Sequence, residues 1–222
     1  HEIMTQLSVN INKIATLRNS RGGNVPDLLK VAADLQSYGA QGITIHPRPD
    51  QRHIRYDDAL ALPAVLTTEF NIEGNPIPKF IDLVIQIQPD QVTLVPDSED
   101  AITSNAGWDT IKNKDFLAEV ISEFQSHGIR TSIFVDPIEK MVEGAKNTGN
   151  NRIELYTEAY AQNFKKNPEK AIAPYTQAAL LANDLGIGIN AGHDLNLENT
   201  AFFAQNILNL LEVSIGHALV SE

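Results

Sequence analysis

The stretch GITIHPR at residues 42–48 begins as a short apolar run and ends in a histidine and an arginine. Continuous apolar and β-branched residues are typical of strands that are buried on both faces. The stretch therefore predicts a buried strand whose end carries His46 and Arg48, and a helical pattern follows near residues 57–65. Seven other apolar runs in the chain also end in polar or small residues suited to chemistry.

Predicted strands and helices alternate along the whole chain. The strands lie near residues 7–11, 42–46, 69–73, 91–95, 131–135, 152–156, 187–190 and 212–216. The helices lie near residues 26–38, 57–65, 77–87, 113–127, 138–147, 169–185 and 197–208. This alternation is typical of an α/β fold, the TIM (β/α)8 barrel, whose active site lies at the carboxyl ends of the strands.

We therefore expect one catalytic barrel domain over residues 1–222. The sequence stops where an eighth helix would begin, so we expect that this helix is absent from the chain or that the barrel is incomplete there. Residues 13–25 and 96–112 connect elements through longer segments than usual and are rich in Asn, Ser and Gly. We expect both segments to be loops that act as lids or ligand clamps.

The composition narrows the possible functions. The formal charge of −11 argues against nucleic-acid binding, and no apolar run approaches the roughly 20 residues that cross a bilayer. The chain has no cysteine, which excludes disulfides and a cysteine nucleophile and fits a cytoplasmic location. Five of the seven arginines nevertheless lie in the first quarter of the chain, which indicates a small anionic ligand. They are Arg18, Arg21, Arg48, Arg52 and Arg55.

Ionisable side chains follow several predicted strands directly. His46, Arg48 and His53 share a segment stiffened by two prolines, and an arginine can bind phosphate through two parallel hydrogen bonds. A carboxylate at the tip of a buried strand, such as Glu73, is costly unless it is paired or used. We therefore expect Glu73 either to take part in catalysis or to form an ion pair with a neighbouring arginine, Arg18 or Arg48.

Three further groups complete the predicted site. Glu154 should face the barrel interior, where it either orients a catalytic base or neutralises a buried cation. His193 follows strand seven, and Gly216 and His217 follow strand eight, in loops that often bind phosphate in such barrels. The histidines and carboxylates show no local ligand spacing such as His-x-x-x-His, so we expect no metal ion.

Seven segments, taken in order, resemble the pyridoxine 5′-phosphate synthase family. They are VNINKIATLRNSRGG, GITIHPRPDQRHI, FNIEGNP, VTLVPDS, IELYTEAYA, NAGHDLN and SIGHALV. The resemblance implies a TIM barrel that condenses two small phosphorylated substrates, 3-amino-2-oxopropyl phosphate and 1-deoxy-D-xylulose 5-phosphate. The products are pyridoxine 5′-phosphate, inorganic phosphate and water. The resemblance also implies that no cofactor is needed and that the protein is a homo-octamer.

The resemblance assigns roles to individual residues. It implies that His46 and Glu73 are proton acceptors, that His193 is a proton donor, and that Glu154 stabilises the transition state. The residues that match the aminoketone phosphate site are Asn10, Arg21, Gly216 and His217. The residues that match the deoxyxylulose phosphate site are Arg48, His53 and Thr103.

The chain departs from the family at three of the expected substrate contacts. Asn12 and Lys13 stand where much of the family has an Asp-His pair, and Asp194 stands where glycine is common. A lysine binds phosphate as a point charge but does not replace a near-neutral acid–base group. The Asp194 carboxylate would repel a phosphate, although its backbone N–H stays available. The segment TSNAGWD also differs from the family's Glu-Gly-Gly pattern.

Two other functions are compatible with the sequence. One is another phosphosugar enzyme of the same fold, such as an aldolase or isomerase. A Schiff-base aldolase needs a lysine inside a strand, and no predicted strand interior contains one. The other is a non-catalytic barrel that binds a vitamin B6 phosphate, against which the presence of His46, Glu73 and His193 argues.

Overall fold

The computed structural model describes residues 3–97, 100–101 and 106–216. Eight parallel strands close into a barrel in chain order, so that the first strand pairs with both the second and the last. The strands are β1 (Gln6–Asn10), β2 (Gly42–Ile45), β3 (Glu69–Gly74), β4 (Gln91–Leu94), β5 (Arg130–Val135), β6 (Arg152–Tyr156), β7 (Gly188–Gly192) and β8 (Leu210–Ile215). The predicted TIM barrel is confirmed, and every predicted strand is present.

Helices follow the strands around the outside of the barrel. They are α1 (Asn12–Arg21), α2 (Leu28–Ser37), α3 (Tyr56–Ala61), α4 (Pro78–Ile87), α5 (Lys114–Ser126), α6 (Glu139–Lys146), α7 (Glu158–Asn163), α8 (Pro168–Asp184) and α9 (Leu197–Asn206). The expected position of an eighth helix, after Gly216, lies outside the described residues. In the part of the chain that is described, no helix is both long and apolar enough to span a membrane.

The prediction of a loop over residues 13–25 is wrong, because α1 occupies most of that segment. In α1 the buried residues are Ala15 and Arg18, so the helix has no apolar stripe from which its period could be read. Its stabilising contacts are polar, as described below. Gly22 ends the helix in the left-handed conformation, with a φ of 72°.

The second predicted loop, residues 96–112, contains no helix or strand in its described part. An isolated bridge pairs Ala101 with Trp108, and the Trp108 indole is fully buried and donates a hydrogen bond to the Leu94 carbonyl. Trp108 thereby anchors the second half of the 96–112 segment to the end of β4. Thr103, an expected substrate contact, lies outside the described residues.

The barrel has an apolar outer layer and a polar interior. Strand residues such as Ile43, Ile72 and Ile133 are buried in the hydrophobic core. Inside the barrel, Asn71 donates to Thr44 and accepts a hydrogen bond from the hydroxyl of Thr93. TIM barrels usually fill their interior with branched aliphatic side chains. A polar interior lets this barrel hold ionisable groups below its mouth.

Candidate active site

An open cavity of about 680 Å³ lies at the carboxyl ends of the strands. We call it the central cavity. It is lined by side chains from β1, β3, β5, β6, β7 and β8 and from the residues that follow them. They are Asn10, Lys13, Glu73, Phe134, Glu154, Gly192, His193, Asp194, Leu195, Ser214 and Gly216. Seven residues expected from the sequence therefore meet in one cavity.

Two carboxyl groups, Glu73 and Glu154, line the buried side of the central cavity. The exposed fraction is 7% for Glu73 and 1% for Glu154. Burial, together with the charge of Glu212, raises the pKa of Glu73 to about 8. Burial and the charges of Glu73 and Glu212 also raise the pKa of Glu154 well above its ordinary value. Burial therefore favours the protonated form of both groups, compared with an exposed carboxyl group.

Neither of the arginines proposed as a partner for Glu73 pairs with it. Arg18 instead binds Asp58 through two hydrogen bonds of 2.7 Å, and the side chain of Arg48 is exposed. The described ion pairs do not include Glu73 or Glu154. One oxygen of Glu154, Oε2, also lacks a hydrogen-bond partner among the described residues. A buried carboxyl group without an ion pair among the described residues favours the catalytic interpretation over the structural one.

A glycine on β7 makes room for Glu154. A Cβ atom at Gly192 would lie 3.1 Å from Oε1 of Glu154 and 3.2 Å from the Cβ atom of Ser214. These distances are tighter than ordinary van der Waals contacts, so a larger residue would displace the carboxyl group. Gly192 therefore lets the barrel mouth accommodate a carboxyl group between neighbouring strands.

His193 is held at the rim of the central cavity. Its carbonyl oxygen accepts a 2.5 Å hydrogen bond from the hydroxyl of Thr157, and its ring lies 4.6 Å from the ring of Tyr156. Its Nδ1 atom lies 3.1 Å from an oxygen of Asp194. His193 and Asp194 both have positive φ, 94° and 60°, which non-glycine residues rarely adopt. The turn thus holds the imidazole at the cavity at some cost in backbone strain.

Glu158, His193 and Asp194 place one possible metal-ligand atom each within 4.8 Å of one another. Each of these groups already has a partner in the structure. The Tyr156 hydroxyl donates a 2.5 Å hydrogen bond to Glu158, and Asp194 contacts the ring of His193. A metal ion at this position would compete with both contacts.

A second cavity, with an empty volume of about 1020 Å³, lies beside the loops after β2, β3 and β4. We call it the side cavity. Its lining includes His46 and Arg48, together with Arg52 and Asn75. Burial, with smaller contributions from the charges of Arg48 and His53, lowers the pKa of His46 to about 4. His46 is therefore neutral near pH 7, and the lowered pKa makes it a weaker base than an exposed histidine.

The Asn12 side chain contacts the protein backbone at the end of β2. Its Oδ1 atom accepts a 2.8 Å hydrogen bond from the backbone N–H of His46, and its Nδ2 atom donates to the His46 carbonyl at 3.1 Å. This two-way pairing holds His46 in place. Asn12, which we expected to contact substrate, therefore also positions the backbone of His46.

Two other expected contacts, Arg21 and His53, are not among the residues that line the two cavities. Arg21 is exposed at the end of α1 and lines neither cavity. His53 also lines neither, and its Nδ1 atom lies 2.8 Å from the hydroxyl of Thr16. His217, expected beside Gly216, lies outside the described residues.

Glu212 on β8 is an ionisable group that we did not predict. It is buried inside the barrel, and its carboxyl group lies 3.8 Å from the guanidinium of Arg152. Burial outweighs the charges of Arg152 and Arg130 and raises the pKa of Glu212 to about 7. The sequence pattern that predicts such a residue is present in LLEVSI, where a glutamate interrupts an apolar run. Glu154 interrupts the run RIELY in the same way.

Comparison with solved structures supports the fold. An alanine racemase from Clostridium difficile 630 superposes with a TM-score of 0.59 at 13% sequence identity. The match covers 97% of this chain and 55% of the racemase chain. At this identity the similarity shows a shared barrel architecture.

Comparison with curated sequences shows much closer relatives. Pyridoxine 5′-phosphate synthase of Flavobacterium johnsoniae is 71% identical over 219 residues, which cover 99% of this chain and 92% of the relative. The synthases of Christiangramia forsetii and Cytophaga hutchinsonii are each 64% identical with the same coverage. The family model described as pyridoxal phosphate biosynthesis protein PdxJ matches residues 7–222. The chain therefore belongs to the PdxJ family of pyridoxal phosphate biosynthesis proteins.

Proposed function

We propose that this protein is a pyridoxine 5′-phosphate synthase that joins 3-amino-2-oxopropyl phosphate to 1-deoxy-D-xylulose 5-phosphate and releases phosphate and water. The observation that carries the proposal is the meeting of a buried carboxyl group, Glu73, and a histidine, His193, in one cavity at the barrel mouth. Forming the pyridine ring requires repeated proton transfers, and such transfers need groups that titrate near neutral pH.

The environments of the three proton-transfer groups suit different roles. Glu73 has a pKa near 8, so its carboxylate is a stronger base than an exposed glutamate. His46 has a lowered pKa and is held by Asn12 as a neutral base. His193 is exposed at the rim beside the Asp194 carboxylate and is the proposed acid that assists the leaving group. Glu154, buried below them, is the proposed group for transition-state stabilisation.

The two cavities separate the residues proposed to bind the two substrates. Asn10 and Gly216, proposed contacts of the aminoketone phosphate, line the central cavity. Arg48, a proposed contact of the deoxyxylulose phosphate, lines the side cavity. Lys13 and Asp194 also line the central cavity, where we propose that the lysine binds a phosphate group and that Asp194 contributes its backbone N–H.

We also propose that the chain acts as one catalytic domain in the cytoplasm and assembles as a homo-octamer. The lack of cysteine supports a reducing compartment, and the family resemblance supports the octamer. Among alternative functions, a Schiff-base aldolase is disfavoured because none of the eight described strands contains a lysine.

The test is an assay of phosphate release and pyridoxine 5′-phosphate formation with both substrates. We expect both products together, in equal amounts, and neither product when one substrate is omitted. Binding of pyridoxine 5′-phosphate without any turnover would instead support the non-catalytic barrel. Turnover of another sugar phosphate alone would support an aldolase or isomerase.

A further inference from the structure

One face of α1 binds the segment that follows β2. Asn12, Thr16 and Asn19 lie four and three residues apart, so their side chains share a face of the helix. Asn12 holds the backbone of His46, as described above. The Asn19 Nδ2 atom donates to the carbonyls of Arg52 and His53 at 3.0 and 2.8 Å. These contacts position the backbone at both ends of the segment.

The same helix also holds the ring of His53. The hydroxyl oxygen of Thr16 lies 2.8 Å from Nδ1 of His53 and 3.1 Å from the carbonyl oxygen of Asn12. A hydroxyl group has one proton to donate, and a carbonyl oxygen can only accept. Both contacts are hydrogen bonds only when Thr16 donates to Asn12 and accepts from His53. The Nδ1 atom of His53 must then carry a proton.

The backbone of His53 is anchored independently of its ring. The Nε atom of Arg18 donates to Oδ1 of Asn19 at 3.1 Å, which orients the amide that holds the His53 carbonyl. Arg18 itself is buried, with 2% exposure, and binds Asp58 through two hydrogen bonds. Because the backbone is fixed in this way, loss of the Thr16 hydroxyl should affect the ring more than the loop.

We propose that Thr16 is a positioning residue that fixes the His53 ring with a proton on Nδ1, so that Nε2 accepts a hydrogen bond from a hydroxyl group of the sugar phosphate. The proposal rests on the proposed function for the identity of that substrate. The assignment follows from chemistry, because a neutral ring with its proton on Nδ1 has a lone pair at Nε2. That atom matches a hydroxyl donor and does not match a phosphate oxygen.

The first experiment measures the proton position in the resting protein. Nitrogen NMR of 15N-histidine-labelled protein, at a mildly alkaline pH where histidine is neutral, should show His53 protonated at Nδ1; His53→Asn identifies the signal. Thr16→Val should shift the ring toward the Nε2-protonated form, and Thr16→Ser should restore the parent signal. A parent His53 protonated at Nε2 would overturn the proposal, whether or not the protein has the proposed activity.

The second experiment measures the effect on substrate. Thr16→Val should raise KM for 1-deoxy-D-xylulose 5-phosphate about 3- to 10-fold, the effect of one hydrogen bond, with kcat and the aminoketone KM nearly unchanged. Thr176→Val is the matched control, because Thr176 makes the same hydrogen bond to its own helix, 3.3 Å to the Ile172 carbonyl, and contacts no histidine among the described residues.

The outcomes of the kinetic experiment separate the hypotheses. Equal changes in both KM values, or a parent-like KM in Thr16→Val, would overturn the specific role of Thr16. A parent protein that releases no phosphate from the two substrates would contradict the proposed function. In that case the NMR experiment still tests whether Thr16 fixes the proton of the His53 ring on Nδ1.

Discussion

Strand β3 carries one glutamate at each end, and the barrel places them in opposite environments. Glu69, at the start of the strand, binds the Arg130 guanidinium through hydrogen bonds of 3.0 and 2.6 Å. The hydrogen bond to Arg130 outweighs partial burial and lowers the pKa of Glu69. Glu73, four residues later, is buried without an ion pair in the described structure, and its pKa is raised to about 8.

The different environments of Glu69 and Glu73 show that a glutamate serves two purposes in this barrel. At the amino end of the barrel, a carboxylate neutralises an arginine and contributes to stability. At the carboxyl end, burial without a counter-ion costs stability but keeps the group near the pKa that proton transfer needs. The division follows the general arrangement of TIM barrels, in which the carboxyl end carries the active site and the amino end contributes stability.

The largest expected effect comes from neutralising the glutamate at the carboxyl end. Glu73→Gln should lower kcat by about 100-fold or more, because it removes a proton acceptor while keeping the size of the side chain. The measurement is steady-state phosphate release with both substrates. Glu69→Gln is the matched control on the same strand and should keep kcat close to the parent value. Parent-like turnover by Glu73→Gln would remove Glu73 from the mechanism.

The two variants should change stability in opposite directions. Folded Glu73 keeps its proton up to about pH 8, whereas the unfolded side chain releases it near 4.5, so the parent loses stability as pH rises through that window. Glu73→Gln should therefore be more stable than the parent at pH 8. Glu69 has a lowered pKa, so its contribution is present at neutral pH and is lost as acid protonates it.

Denaturant unfolding at several pH values measures both effects. At neutral pH, Glu69→Gln should lose about 1 kcal/mol, because the ion pair with Arg130 is partly exposed and screened. The advantage of Glu73→Gln over the parent should shrink toward pH 4.5. Equal pH dependence of the three proteins would show that the two ends of β3 have similar environments.

The pH dependence of catalysis should identify Glu73 as the titrating base. On its rising side, the plot of kcat/KM against pH should climb about tenfold per unit below the pKa of about 8. His46 has a pKa near 4 and stays neutral between about pH 6 and 9, so it adds no further change in kcat/KM over this range. In Glu73→Gln the rise should disappear from the remaining activity. A midpoint below about pH 6 would contradict the assignment.

The smallest effect is expected from a substitution at Lys13. This substitution tests whether a cation has a specific role at the carboxyl end of the barrel, as Arg130 has at the amino end. We expect Lys13→Ala to raise KM for one phosphorylated substrate about fivefold with little change in kcat, because the lysine binds phosphate. Lys30→Ala on α2, an exposed lysine that pairs with Asp34, is the control. If Lys13 were instead the counter-ion of Glu73, its removal would move the pH midpoint upward.

Much of the site was predictable because strands impose a two-residue period. The runs EFNIEG and RIELY each place a glutamate at a position that the barrel buries, and the structure brings Glu73 and Glu154 to one cavity. The same rule applied to LLEVSI would have found Glu212. Helix α1 was not predicted, because its contacts to the segment after β2 are polar and leave no apolar period in the sequence.

The sequence by itself determined the barrel and which residues follow its strands, because apolar runs and the residues that follow them are local features of the chain. The tertiary structure decided which carboxyl groups have a counter-ion. Glu69 and Arg130 are 61 residues apart in the chain, and their pairing depends on the register of neighbouring strands. The raised pKa of Glu73 likewise depends on burial and on Glu212, which the closure of the barrel brings near. Charge and burial act through space, so the chemistry of each glutamate is set by the fold.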